Sequence, residues 1–265
     1  MMKRIEFIGA PGVGKSTLLE KVKSKRDKND EWVTPFELKM NIAKNEKITR
    51  LISKKSIYLL ALKLNIYRDK HQLFISRLLA RYEKDAHNIR MNDYSGLINM
   101  VLKGFAENKD VQPYLKMDYV IYCLNQIKEV GFLDYIGHGK TVVFEESIIH
   151  NNPKTWDKDA YIHALHNSNA SKVNPLGVIF CDLFLEEHIK RRKNRIIERG
   201  SANFSEKGLN KEQFETLCKN QLENSNGKAE VMRYIGVPVL QVDVSENIDD
   251  NALRVLEFIR GLTCK

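Results

Sequence analysis

Ile5-Glu6-Phe7-Ile8, followed by Gly9-Ala10-Pro11-Gly12-Val13-Gly14-Lys15-Ser16-Thr17, is the stretch on which the reading of the whole chain turns. The eight residues from Gly9 to Ser16 satisfy G-x-x-x-x-G-K-[ST], and their setting matters as much as their letters. Residues 5–8 read as a short strand, and over residues 15–25 the apolar Leu18, Leu19 and Val22 recur at helical spacing. In such a strand, loop and helix unit, glycines let backbone N–H groups turn inward around phosphate oxygens, and the helix N-terminus adds a dipole that favours an anion. Gly9, Ala10, Pro11, Gly12, Val13, Gly14, Lys15, Ser16 and Thr17 are therefore the candidate nucleotide-binding residues. In this reading Lys15 reaches the β- and γ-phosphates, and Ser16 offers its hydroxyl to Mg²⁺ with Thr17 beside it.

Outward from this unit, Trp32-Val33-Thr34-Pro35-Phe36 reads as a second short strand ending near the proline. Residues 38–135 change character. Ile48, Leu51, Ile52, Leu59, Leu62 and Ile66 recur near the helical period, as do Leu73, Ile75, Leu78, Leu79 and Tyr82, then Leu97, Val101 and Leu102, and finally Tyr119, Tyr122, Ile127 and Val130. Strand signals return at residues 141–144, 178–181 and 237–242, with helical stretches at 185–197 and 211–234. Short apolar strands alternating with helices predict right-handed crossovers and a parallel sheet covered on both faces. The expected organisation is a single domain over residues 1–265, with 38–135 as a large helical insertion that shapes an acceptor-binding region.

The 265 residues hold 43 Lys+Arg against 34 Asp+Glu, a formal charge of +9. Residues 39–90 hold 13 Lys/Arg and four Asp/Glu, which is the whole excess, so the remainder of the chain is balanced. Such a field suits an anionic small molecule, or a nucleic-acid or membrane partner. The charge-free run at residues 56–62 is far shorter than the roughly 20 residues of a membrane-spanning helix, and Glu6 interrupts the apolar stretch behind Lys3-Arg4, so neither a transmembrane segment nor a secretory signal is expected. Cys123, Cys181, Cys218 and Cys264 are widely spaced, with no metal-ligand pattern; reduced thiols and a cytoplasmic location are the simplest expectation.

A phosphate loop of this kind needs a carboxylate near the metal, at the end of a neighbouring strand. Glu145-Glu146 directly follow the strand at 141–144 and are placed either to support Mg²⁺, with Glu145 the first choice, or to act on an acceptor hydroxyl; Asp182 is the competing metal carboxylate. A basic cluster at residues 190–199 supplies Arg191 and Arg195, four apart on one helix face, as candidates to stabilise a transferring phosphoryl group. Arg192 and Arg199 are candidates to hold the nucleotide, and residues 186–205 form a candidate lid. An exposed helix salt-bridged to Glu186, Glu187 and Glu198 is the competing explanation of the cluster. Among the histidines, His150 lies closest to these carboxylates, while Trp32, Tyr82, Phe105 and Tyr119 are expected in the core.

With the phosphate loop, the Glu pair and the arginine cluster in this order, the chain resembles the P-loop nucleoside and nucleotide kinases, most of all the deoxynucleoside kinases. Val143-Phe144-Glu145-Glu146-Ser147 looks like that family's strand ending in Glu-Arg-Ser, and His188-Ile189-Lys190-Arg191-Arg192-Lys193-Asn194-Arg195 like its arginine-rich lid. The stretch Val237-Pro238-Val239-Leu240-Gln241-Val242-Asp243-Val244 is similar to its last strand and the loop near the adenine. The resemblance implies an α/β P-loop NTPase fold and an ATP- and Mg²⁺-dependent transfer of the γ-phosphoryl group to a small-molecule acceptor, a nucleoside or nucleotide first. Two positions depart from the family: Thr34-Pro35 stands where it carries the Glu-Pro general base, and Glu146 where it carries arginine. Glu37 and Glu146 are the available substitutes for that base. The alternative is a P-loop NTPase switch that engages nucleic acid or another anionic partner through residues 39–90; a homodimer is compatible with either reading.

Overall fold

The computed structural model describes residues 1–43, 91–107, 113–137, 139–152, 155–201 and 206–263. The chain opens with β1 (Lys3–Ile8), which runs through the phosphate loop into α1 (Lys15–Ser24); β2 (Trp32–Val33) and α2 (Pro35–Ala43) follow. After a 3-10 turn at Met91–Tyr94 come α3 (Ser95–Glu107) and α4 (Pro113–Ile136), then β3 (Thr141–Phe144) and three short helices, α5 (Ile148–Asn151), α6 (Lys158–His166) and α7 (Ala170–Val173). The sheet is completed by β4 (Gly177–Asp182), α8 (Leu185–Arg199), α9 (Lys211–Tyr234), β5 (Val239–Asp243) and α10 (Ile248–Thr263).

The strands described form one parallel sheet in the order β2-β3-β1-β4-β5. Side chains alternate across β1, so Ile5 and Phe7 face one layer while Arg4, Glu6 and Ile8 face the other. The first layer is closed by Leu18, Leu19 and Val22 of α1 with Val255, Leu256 and Ile259 of α10. The second is closed by Leu97 and Val101 of α3, Ile127 and Val130 of α4, and Ala229 and Met232 of α9. Burial on both faces explains the near-continuous apolar runs of the strands. This is the expected P-loop NTPase arrangement, an α/β sheet with helices on both sides.

Strand order places the site. The chain leaves β1, travels to the edge strand β2, and returns with β3 between them, so the loop after β1 and Glu145 after β3 emerge side by side; the register pairs Glu6 with Phe144. In open parallel sheets the carboxyl ends of adjacent strands form such a crevice. Two glycines make the loop sterically feasible. A Cβ on Gly9 would lie 2.6 Å from the Cys181 carbonyl oxygen of β4, and Gly14 caps α1 with φ of 118°, in the left-handed region.

Two expectations need correction. The second strand stops at Val33 and does not reach Phe36, because Thr34-Pro35-Phe36-Glu37 opens a helix. The Thr34 hydroxyl accepts from the Glu37 N–H at 3.3 Å, the Glu37 carboxylate accepts from the Thr34 N–H at 2.8 Å, and Pro35 occupies the first helical position, where its missing N–H costs nothing. Tyr119 and Tyr122 are exposed, with Tyr119 stacked on Phe105 at 5.8 Å between ring centroids, whereas Ile127 and Val130 turn inward as expected. The C-terminal helix α10 and the short helices after β3 were not legible in the periodicity. The helical pattern at residues 48–82, with Tyr82, and nearly all of the basic segment lie outside the described residues. Among the described residues no helix is long and apolar enough to cross a membrane.

Candidate functional site

A cavity of about 940 Å³ opens at the carboxyl ends of β1 and β3, between the phosphate loop, α5, α8 and the start of α10. Its volume is at the upper end of ordinary small-molecule sites. Pro11, Gly12 and Gly14 through Thr17 line one wall, Glu145, Glu146 and His150 the facing wall, and Arg191 and Arg195 a third side. Gly9, Ala10 and Val13 belong to the same loop but turn into the core, where Ala10 and Val13 are buried.

On the loop side, Lys15 is almost fully buried although charged. Its ammonium donates to the Gly9 and Ala10 carbonyls at 3.1 and 3.3 Å and pairs with Glu146 Oε1 at 3.2 Å. A buried ammonium surrounded by oxygen partners is the arrangement that tolerates desolvation. The Ser16 hydroxyl donates to the carboxylate of Glu145. Hydroxyl and carboxylate oxygens are hard donors, and Mg²⁺ characteristically takes one or two protein oxygens while keeping water and phosphate ligands, so this pair fits that ion. Among the described residues no group of three or more His, Cys, Asp or Glu side chains offers a fuller cage. Asp182, the competing carboxylate, is engaged by the Leu183 N–H at 2.9 Å and the Gln241 amide at 2.8 Å and does not line the cavity.

The facing wall is held from below. Glu6, wholly buried in the central strand, pairs with Arg4 at 2.6 Å, and its other oxygen accepts from the Ile149 N–H at 3.0 Å. Burial raises the Glu6 pKa, and the Arg4 charge works in the opposite direction. Arg4 also donates to the carbonyls of Lys172 and Val173, which ties the buried pair to α7. Glu6 thereby fixes the first turn of α5 and, with it, Glu146 and His150. Glu146 Oε1 receives both the Lys15 ammonium and His150 Nε2, each at 3.2 Å. Burial works against the charge of Glu146, yet His150 and Lys15 outweigh it and hold the carboxyl down at about 2. Burial takes His150 down to about 4 against the pull of Glu146, so at neutral pH an uncharged imidazole donates to a carboxylate. Lys228, reaching in from α9, donates to the His150 carbonyl, and burial lowers its pKa to about 8.

The arginine helix divides its side chains. Arg191 and Arg195 border the cavity, and Arg191 donates to the Val13 carbonyl at 2.6 Å and the Val244 carbonyl at 3.1 Å. Arg192 turns the other way: it is 2% exposed, donates to the Pro11 carbonyl at 3.1 Å and forms an ion pair with Glu206. Arg199 lies on the last turn, outside the cavity lining. Of the two candidates to hold the nucleotide, Arg192 is thus turned away from the cavity, on the buried face that it shares with His188, and Arg199 is not among the lining residues. Glu37 is likewise outside the cavity, bound bidentately by Arg26 at 2.8 and 2.9 Å, with that guanidinium 4.8 Å over the Trp32 ring. Trp32 is buried, as expected.

Glu6, Lys228 and Asn251 went unmarked as site residues in the sequence. Glu6 looked only like an interruption of an apolar strand, and Lys228 like one charge among many on a long helix. Asn251, buried beside the cavity, donates to the Asp243 carbonyl at 2.7 Å and ties α10 to the end of β5. Among the described residues Cys123, Cys181 and Cys218 are buried free cysteines, and Cys264 lies outside them.

No protein-family model and no curated protein sequence matches the chain. Among solved structures, it is similar to a deoxyadenosine kinase from M. mycoides with the products dCMP and a flexible dCDP bound, at 14% identity and a TM-score of 0.45. It is also similar to the M. mycoides deoxyadenosine kinase with bound dCTP, at 15% identity and a TM-score of 0.42. Both matches cover 97% of this chain and 99% of the other.

Proposed function

We propose that the chain is an ATP- and Mg²⁺-dependent phosphotransferase that moves the γ-phosphoryl group of ATP to a hydroxyl of a small-molecule acceptor, with nucleosides and nucleotides the first class to test. The observation that carries this reading is the meeting, in one cavity, of the Gly9–Ser16 loop, the Ser16–Glu145 pair and the arginines of α8. Backbone N–H groups of residues 12–17 cradle the phosphates at the N-terminus of α1. Lys15 exchanges its carbonyl partners for phosphate oxygens, and Arg191 and Arg195 stabilise charge on the transferring group. Ser16 and Glu145 would hold Mg²⁺, which would supply positive charge to offset that of the phosphates.

Glu146 receives the acceptor. Both of its hydrogen-bond donors sit on Oε1, and the residue is 37% exposed to the cavity, so a hydroxyl approaching from the open side meets a carboxylate whose orientation is already set. Its low pKa makes it a weak base, which suits a reaction that depends more on positioning than on proton removal. Lys15 touches both the phosphate loop and Glu146 and thereby links the two walls. The experiment is a transfer assay with Mg-ATP and a panel of nucleosides, nucleotides and sugars. Absence of ATP binding at millimolar nucleotide refutes the reading. ATPase activity stimulated by nucleic acid, with no small-molecule product, replaces it by the switch alternative.

A further inference from the structure

His188, Arg191 and Arg192 come from one helix, and all three end on main-chain carbonyls of the phosphate loop. His188 is fully buried, with Nε2 3.0 Å from the Pro11 oxygen. A carbonyl can only accept, so Nε2 carries the proton. Arg192 Nη1 donates to that same oxygen at 3.1 Å, and Arg191 Nη1 donates to the Val13 oxygen at 2.6 Å. The helix also packs directly on the loop: a Cβ on Gly12 would lie 3.0 Å from Arg192 Cδ. Positions 188 and 192 are one turn apart and share the buried face, whereas 191 and 195 share the face that borders the cavity. The Arg192 guanidinium is kept in place by Glu206, whose side chain is 2% exposed, like that of Arg192.

From this division we infer that Arg192, held by Glu206 and assisted by His188, is a positioning residue that braces the outer limb of the phosphate loop from behind. The buried half of α8 is then a fixed strut, while on the other face Arg191 also holds the Val13 carbonyl and, with Arg195, borders the cavity. The Pro11 and Val13 carbonyls flank Gly12, the point at which the loop must turn its N–H groups toward an anion. Two donors on Pro11 and one on Val13 hold those carbonyls outward, which leaves the N–H groups facing the cavity. A guanidinium suits this task because its planar fork serves Pro11 and Glu206 at once, which an ammonium does less well. Losing Glu206 leaves a buried cation with one carbonyl partner, so the brace should loosen without the helix leaving.

The functional consequence rests on the phosphotransferase reading, but the brace itself is measurable without nucleotide. Amide hydrogen exchange on the full-length chain is compared for wild type, Arg192→Met, Arg192→Lys and Glu206→Gln, with the exposed Lys193→Ala as the same-helix control. Exchange at the hydrogen-bonded amides of Val13 and Leu18, which donate to the Ala10 and Gly14 carbonyls, should speed up about tenfold or more in Arg192→Met and less in Arg192→Lys and Glu206→Gln. Exchange in β4 and in Lys193→Ala should stay at the wild-type rate. Mg-ATP titration of the same proteins should show the dissociation constant rising in the same order, with the KM for the acceptor unchanged. Unchanged loop exchange in Arg192→Met, or an equal rise in β4, overturns the brace. Should Arg192→Met fail to fold, Glu206→Gln decides by the same two regions. Failure of the wild type to bind Mg-ATP refutes the phosphotransferase reading alone, and the exchange pattern still decides the brace.

Discussion

The two walls of the cavity are built in different ways. The phosphate wall is mostly main chain, nine consecutive residues whose glycines and single lysine shape an anion cradle. The facing wall, to which the proposed function assigns the acceptor, is a stack of side chains from distant places, Glu6 from β1, Glu146 and His150 after β3, and Lys228 from α9. Its bonds join residues separated by 143 positions, as between Glu6 and Ile149, and by 78, as between His150 and Lys228. A local motif can lose its chemistry through one substitution while the fold survives. A long-range stack should lose stability and chemistry together.

The largest effect should come from Lys15→Ala, which removes a side chain that joins both walls. Phosphoryl transfer should fall about a thousandfold, while the circular dichroism spectrum and melting temperature stay close to wild type. Activity at the wild-type level would show that the loop is not the phosphate wall. Next in size is Glu6→Ala, which strands the Arg4 guanidinium in the core. Urea unfolding should report about 3–5 kcal/mol of lost stability, the usual cost of an orphaned buried charge. A loss under about 1 kcal/mol would mean that the acceptor wall does not hang on β1. Glu146→Gln keeps the shape and removes the charge. It should lower kcat by about a hundredfold and leave the KM for ATP within about twofold, because its partner is the acceptor.

The smallest effect is the most diagnostic of the acceptor wall. His150 has its folded pKa lowered to about 4, so between that value and its ordinary 6.5 the unfolded chain binds a proton that the folded chain refuses. Its contribution is therefore complete above about pH 6.5 and is lost as pH falls toward 4. Lys228 gives the same sign at the alkaline end: with a folded value near 8 against 10.5, stability should rise as pH climbs through that window. Unfolding curves taken at a series of pH values should flatten in the acid window for His150→Gln and in the alkaline window for Lys228→Met. Unaltered slopes would remove these groups from the network.

The same contrast explains what the sequence could reveal. The phosphate loop, β1, β3 and the helices at residues 185–199 and 211–234 were legible because glycine spacing and apolar period are local signals. Arg191 and Arg195, four apart, both border the cavity, whereas Arg192 is buried on Glu206, since spacing says which residues share a face and not which face is buried. Trp32-Val33-Thr34-Pro35-Phe36 reads as a strand ending near the proline because the proline overshadows the Thr34-x-x-Glu37 capping pattern in the letters. Glu6, Lys228 and the Glu206 partner of Arg192 depend on contacts between elements far apart in the chain, and nothing in their local sequence announces them.

The central claim is that the two walls serve one transfer between ATP and an acceptor. The most direct measurement is to incubate the full-length protein with ATP radiolabelled at the γ-phosphate, Mg²⁺ and the acceptor panel, alongside Lys15→Ala and Glu146→Gln. The account predicts label on one class of acceptor in the wild type, a trace with Glu146→Gln and background with Lys15→Ala. Label recovered solely as inorganic phosphate, or equal transfer by all three proteins, would contradict it.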